Sequence, residues 1–281
     1  MSTCDINALR PKAIGSVSAA CRPTVLPYPS VIQTLDWAPV GLADAALLRD
    51  PGEAQLWLMA LDNPPWPLEE LAADLDAAEA ERAARFHFQR DAHRYQAAHG
   101  MLRRVLARHL GMAPREIRFT TGDAGKPSLL GPGAADLTFN LSHSGCHALL
   151  GVTRAGRIGV YIEVVRELAD RDAIAASHFA SAEQRELQAL PPELRTDGFF
   201  AGWTRKEAYV KALGGGLSIA LADFEVSLDP RALPALRAGL AGASEAARWA
   251  LWSAQTQPGV WAAAAIEHNP VQLHGFSLQS T

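Results

Sequence analysis

Two long helical stretches, each closed by a Leu-Gly pair, most constrain how this chain can fold. "RDAHRYQAAHGMLRRVLARHLG" (90–111) and "GFFAGWTRKEAYVKALGG" (198–215) keep helical periodicity and stop at glycine. Leu110-Gly111 and Leu213-Gly214 lie about one hundred residues apart. A shorter helix precedes each one, over 68–86 and 181–190. A strand follows each, over 116–121 and 223–228. A hairpin precedes the second half at 137–153 and another closes it at 248–268, its turn at Gln257-Pro258-Gly259. This repeated order, with slight literal identity, predicts an α+β fold. It would have two similar α/β halves related by a pseudo-twofold, each a small antiparallel sheet packed with helices, and the site in the cleft between them. The boundaries read as an N-terminal arm over 1–50, a first half over 51–154 opening with the strand 54–61, and a second half over 155–281.

Charge is uneven along the chain. The formal net charge is −4, yet residues 82–118 hold nine arginines against Asp91 and Glu116, a local net of +7. Such a patch suits an anionic ligand or an acidic partner protein, and equally an arginine-rich solvated helix. Nothing in it points to nucleic acid. The four lysines are Lys12, Lys126, Lys206 and Lys211, three of them in stretches that stand out on other grounds. Cys4, Cys21 and Cys146 are odd in number and widely spaced, which excludes a disulfide framework and a cysteine metal site. No signal-peptide core and no membrane-length apolar run is present, so a cytoplasmic protein is expected. An internal repeat favours a monomer over a homotrimer.

Five places carry the chemistry. In "WTRKEAYVKALGGGLS" (203–218), Trp203, Glu207 and Lys211 recur every four residues and share a helix face. A Glu–Lys pair at this spacing is ordinarily a surface ion pair of a few tenths of a kcal/mol. The tryptophan on the same face argues for burial, and the glycines after the helix allow close backbone approach. In "FNLSHS" (139–144), Ser142 and His143 end a strand at a turn. A hydroxyl and an imidazole there can hydrogen-bond a phosphate, or be structural. Adjacent on one strand they face opposite ways, and no GxSxG elbow is present, which argues against a serine hydrolase. Lys126 lies in the turn "AGKP" (124–127), and Arg94 on the basic helix. In "GRIGVYIEVV" (156–165), Ile158, Val160, Ile162 and Val164 share one face of a strand, and Gly159, Tyr161, Glu163 and Val165 the other. A carboxylate on such a strand needs a partner or a metal. Glu163 and Glu207 are candidates to hold Mg²⁺ together.

"FNLSHSG", "IGVYIE" and "WTRKEAYVKALGGGLS", in this order, with "RDAHRYQAAHGMLRR" and "IRFTTGDAGKP" upstream, resemble the 4′-phosphopantetheinyl transferases. The similarity is to the longer type, which activates the carrier proteins of peptide, polyketide and fatty-acid synthases. It covers residues from about 54 to about 230, and leaves the arm uncovered. The resemblance implies coenzyme A and Mg²⁺ in the cleft, with an apo carrier protein as the acceptor. By it, Arg82, Arg94, Lys126, Ser142 and His143 would contact the nucleotide and its 3′-phosphate. Glu207 would hold the metal and help remove the serine proton, and Lys211 would lie on the diphosphate. One position departs from the pattern G-[IV]-D-[IV]-E. The aspartate that would be the main metal ligand, beside Glu163 and Glu207, is Tyr161. A phenol is neutral at pH 7 and a poor ligand for a hard cation. The resemblance therefore leaves two expectations: an active or weakened transferase, and a pseudoenzyme that binds coenzyme A or a carrier protein without transfer.

Overall fold

The computed structural model describes residues 35–122, 125–131, 133–154, 156–267 and 271–279. Most of the expected arm, with Lys12, Cys4 and Cys21, lies outside them. In chain order the elements are β1 (Trp37–Val40), β2 (Glu53–Ala60), α1 (Leu68–Ala73), α2 (Ala77–Ala84) and α3 (Gln89–Leu110), then β3 (Arg118–Thr121), β4 (Pro127–Leu130), β5 (Thr138–Ser144), β6 (His147–Thr153) and β7 (Ile158–Val164). Next come α4 (Arg171–His178), α5 (Ser181–Ala189), α6 (Arg195–Leu213), β8 (Glu225–Val226), β9 (Leu236–Ala238), α7 (Ala243–Ala246), β10 (Ala250–Gln257), β11 (Val260–Ile266) and β12 (Gln272–Leu278).

Two sheets stack between the two long helices. The first runs β1-β12-β2-β6-β5, and the second β10-β11-β7. Met101, Leu102, Val105 and Leu106 of α3 pack on Trp57, Met59, Phe139 and Leu150 from one face of the first sheet. Leu56 and Leu149 from its other face meet Ile158, Val160, Ile162, Trp252 and Ala264 of the second sheet. The far face of that second sheet, with Tyr161, Trp261 and Ala263, packs under Phe200, Trp203 and Ala208 of α6. The alternation read in 156–165 is thus the division of β7 between two cores.

The second sheet is antiparallel. The first is mixed, because β12 runs parallel to both β1 and β2. A parallel neighbour needs a long crossover, and here the connection from β2 to β12 runs through every element from α1 to β11. Strand β12, reckoned with the second half from the sequence, hydrogen-bonds into the first.

The single helix expected over 68–86 is two. Asp76 caps α2 by a reciprocal box: its carboxylate accepts from the Glu79 N–H at 2.9 Å, and its own N–H donates to Glu79 at 3.2 Å. Arg103 of α3 then donates to both acids at 2.6 Å, which holds the break in place. The long helices end as their sequences indicate. Gly111 (φ 67°) and Gly214 (φ 78°) both take the left-handed conformation.

Candidate functional site

The site lies where β5, β7 and α6 meet. Strand β7 is an edge of the second sheet, so its outward backbone N–H groups need acceptors. Alternate side chains of β5 supply them. Asn140 accepts from the Val160 N–H at 2.9 Å, Ser142 from Ile162 at 3.3 Å and Ser144 from Val164 at 3.1 Å. The run "FNLSHS" is therefore a seam as well as a strand. Ser142 is buried in that seam and His143, on the opposite face, is exposed.

On its α6 side β7 carries Gly159, Tyr161 and Glu163. A Cβ at Gly159 would come within 2.1 Å of the Ala208 carbonyl oxygen, so only glycine allows helix and strand this close. Glu163 is buried, and both its oxygens are engaged. Oε1 accepts from the Ser144 hydroxyl and Arg166 Nη1, each at 3.0 Å, and Oε2 from the Tyr161 hydroxyl at 3.2 Å.

Glu207 and Lys211, one turn apart on α6, belong to the same cluster. Lys211 Nζ lies 5.0 Å from the centre of the Tyr161 ring and donates to the Leu141 carbonyl of β5 at 3.3 Å. Burial lowers its pKa to about 8, with Glu207 and Glu163 opposing that shift. From just ahead of β4, Lys126 Nζ donates to the carbonyls of Ile158 (2.9 Å) and Ala212 (3.0 Å). Ala212 is in the last turn of α6, where carbonyls lack helical partners and a cation is favoured. Burial, with Arg157 adding to it, lowers Lys126 to about 8 as well.

The structure thus brings together Tyr161, Glu163, Glu207 and Lys211, with Ser142 and Lys126 in the adjoining seam. Arg82 is exposed, its guanidinium 5.6 Å from the centre of the Tyr95 ring. Arg94 makes a bidentate pair with Asp62 at 2.6 and 2.7 Å, which draws that carboxyl below its usual range. Lys206 lies away from the cluster. It is fully buried against Glu183 at 2.8 Å and donates to the carbonyls of Leu221 and Phe224. Sequence reasoning missed Asn140, Ser144 and Arg166. The period-two polar pattern Asn140, Ser142, Ser144 was the available signal for the first two.

Residues 157–266 match the family model of the 4′-phosphopantetheinyl transferase superfamily, and residues 66–154 that of the 4′-phosphopantetheinyl transferase N-terminal domain. The chain is 40% identical over 186 residues to the 4′-phosphopantetheinyl transferase HetI of Nostoc sp., an alignment covering 66% of this chain and 77% of HetI. It is 32% identical over 160 residues to the 4′-phosphopantetheinyl transferase Sfp of Bacillus subtilis, covering 57% of this chain and 69% of Sfp. The chain belongs to the 4′-phosphopantetheinyl transferase superfamily. Within this transferase, β7 and α6 fall inside the superfamily match, and α3 and β5 inside the N-terminal one. Both sides of the site are therefore covered.

The metal that the resemblance implies would have to be held by Glu163, Glu207 and the residue at 161. The third carboxylate is replaced by a phenol, which donates a hydrogen bond to one oxygen of Glu163, while Arg166 occupies the other. Among the described residues no group of three His, Cys, Asp or Glu converges as a metal site. As it stands this donor set does not fit a divalent cation. Nor, among the described residues, is any helix long and apolar enough to cross a membrane.

Proposed function

We propose that the protein transfers the 4′-phosphopantetheine group of coenzyme A to a serine of an apo acyl or peptidyl carrier protein, as a cytoplasmic monomer. The serine hydroxyl attacks the phosphorus next to pantetheine, its proton passes to a base, and the diphosphate P–O bond breaks to release adenosine 3′,5′-bisphosphate. The reading assigns the proton to Glu207 and the charge on the departing phosphate to Lys211. Such chemistry asks mainly for positioning and charge stabilisation. One observation carries the reading: Lys211 of α6 lies over the Tyr161 ring of β7, with Glu207 and Glu163 both near enough to act on it, within a chain of this family. Arg82, Arg94, Lys126, Ser142 and His143 are assigned to the nucleotide and its 3′-phosphate. Glu163 and Glu207 are the residues left to hold Mg²⁺, with Tyr161 in the third ligand position. As they stand, these three side chains do not fit a divalent cation, and the transfer rests on Glu207 and Lys211.

The Tyr161–Glu163 hydrogen bond favours a second reading, a pseudoenzyme that binds coenzyme A or a carrier protein without transfer. One experiment separates the two. The protein is incubated with coenzyme A and an apo carrier protein, in Mg²⁺, Mn²⁺ or EDTA, and carrier mass is followed, with Tyr161→Asp alongside. Transfer by the native protein supports the first reading. Transfer by Tyr161→Asp alone overturns it and leaves the pseudoenzyme.

A further inference from the structure

Arg166 follows β7, three residues after Glu163. Its Nη1 donates to Glu163 Oε1 at 3.0 Å. Its Nη2 is shielded from solvent and has no hydrogen-bond partner among the described residues. The side chain as a whole is 30% exposed, so it borders solvent although Nη2 itself is covered. Buried donors in folded proteins almost always find an acceptor. A charged guanidinium nitrogen without one is a place for water, an ion or a ligand oxygen. The planar fork of arginine matches phosphate oxygens.

The charges point the same way. With Tyr161 neutral, the two acids Glu163 and Glu207 face three cations, Lys211, Arg166 and the nearby Lys126, so the cluster has positive charge to offer an anion. An aspartate at 161 would add one negative charge and a free ligand, and so call for a metal. Tyrosine removes both, and its hydroxyl takes up the Glu163 oxygen that Arg166 and Ser144 leave. We propose that Arg166 binds the diphosphate of coenzyme A in place of a divalent cation, with Glu163 and Tyr161 positioning its guanidinium. The site then holds its substrate without metal.

This rests on coenzyme A being the substrate, and the test keeps the two claims apart. Coenzyme A binding is measured by titration calorimetry in EDTA and in Mg²⁺, with adenosine 3′-phosphate, which lacks the diphosphate, as a second probe. The native protein should bind coenzyme A with a Kd that agrees within about twofold in the two buffers. Arg166→Gln should weaken coenzyme A at least about tenfold in EDTA, and adenosine 3′-phosphate less than about twofold. Arg166→Lys, which keeps the charge and loses the fork, should fall between. It carries the test if the glutamine variant does not melt as the native protein does. Tyr161→Asp should bind coenzyme A at least about fivefold more tightly in Mg²⁺ than in EDTA. Unchanged coenzyme A binding in a folded Arg166 variant overturns the inference and leaves the function intact. So does equal loss of both probes, or native binding only in Mg²⁺. No coenzyme A binding by the native protein in either buffer overturns the function, and the inference with it.

Discussion

Helices α3 and α6 run 22 and 19 residues and both stop at a left-handed glycine, yet their charges sit in opposite surroundings. On α3 most are on or near the surface, and three pair with a nearby acid: Arg90 with Asp91, Arg94 with Asp62, Arg104 with Asp74, while Arg108 donates to the Ala45 carbonyl. On α6 three consecutive charged residues are buried and diverge. Arg205 donates to the Ser227 carbonyl at 2.6 Å, Lys206 pairs with Glu183, and Glu207 joins the cluster at β7. A surface cation can exchange its partner for a ligand at little cost. A buried one must be fully satisfied by the fold, or completed by substrate. Arg103 is the instructive exception on α3. It is buried, and like Lys206 it is held by acids and backbone carbonyls together.

The largest effect should come from Lys206→Met. It strands Glu183 in the core, which already accepts from the Ala180 and Val226 N–H groups at 2.7 Å. Leaving one half of a buried pair costs about 3–5 kcal/mol, read as a lowered urea midpoint. A loss under about 1 kcal/mol would remove the contrast between the helices. Glu207→Gln, one residue on, should leave the fold intact and cut transfer at least about 100-fold, about 2.7 kcal/mol of barrier. Unchanged carrier modification would take Glu207 out of the mechanism.

A smaller effect is expected from Lys126. Its folded pKa of about 8 lies below the ordinary 10.5, so between those values the unfolded chain binds more protons and stability rises with pH. Urea melts at about pH 7.5 and about pH 9.5 should show that rise, and a smaller one in Lys126→Met. An equal rise in both would show that Lys126 does not titrate there. Least should come from Arg94→Ala, which removes a partly exposed pair worth about 0.2–1 kcal/mol of stability. If Arg94 exchanges Asp62 for a phosphate, coenzyme A binding should fall by more than stability does. Equal, small changes would make the pair structural only.

The sequence made some of this legible through local rules. Alternation in 156–165 divided β7 correctly between its two faces, and spacing by four put Glu207 and Lys211 on one side of α6. Glycine marked where both long helices stop. What it hid depends on distant partners. The break between α1 and α2 is held by Arg103, 27 residues beyond Asp76. Lys206 and Lys211 look alike in a helical pattern, and only the position of Glu183 separates an interior anchor from a site residue. Arg166 reads as a loop arginine until Glu163 is known to face it.

Strand β12 has a consequence for how the molecule comes into being. It separates β2 from β1, and it is the last strand in the chain among the described residues. During synthesis one side of β2 therefore stays bare while more than two hundred further residues emerge. An uncovered strand edge is a template for wrong pairing with other chains. The first sheet is complete only once β12 has been made, so a chain truncated ahead of Gln272 should aggregate, which light scattering would read.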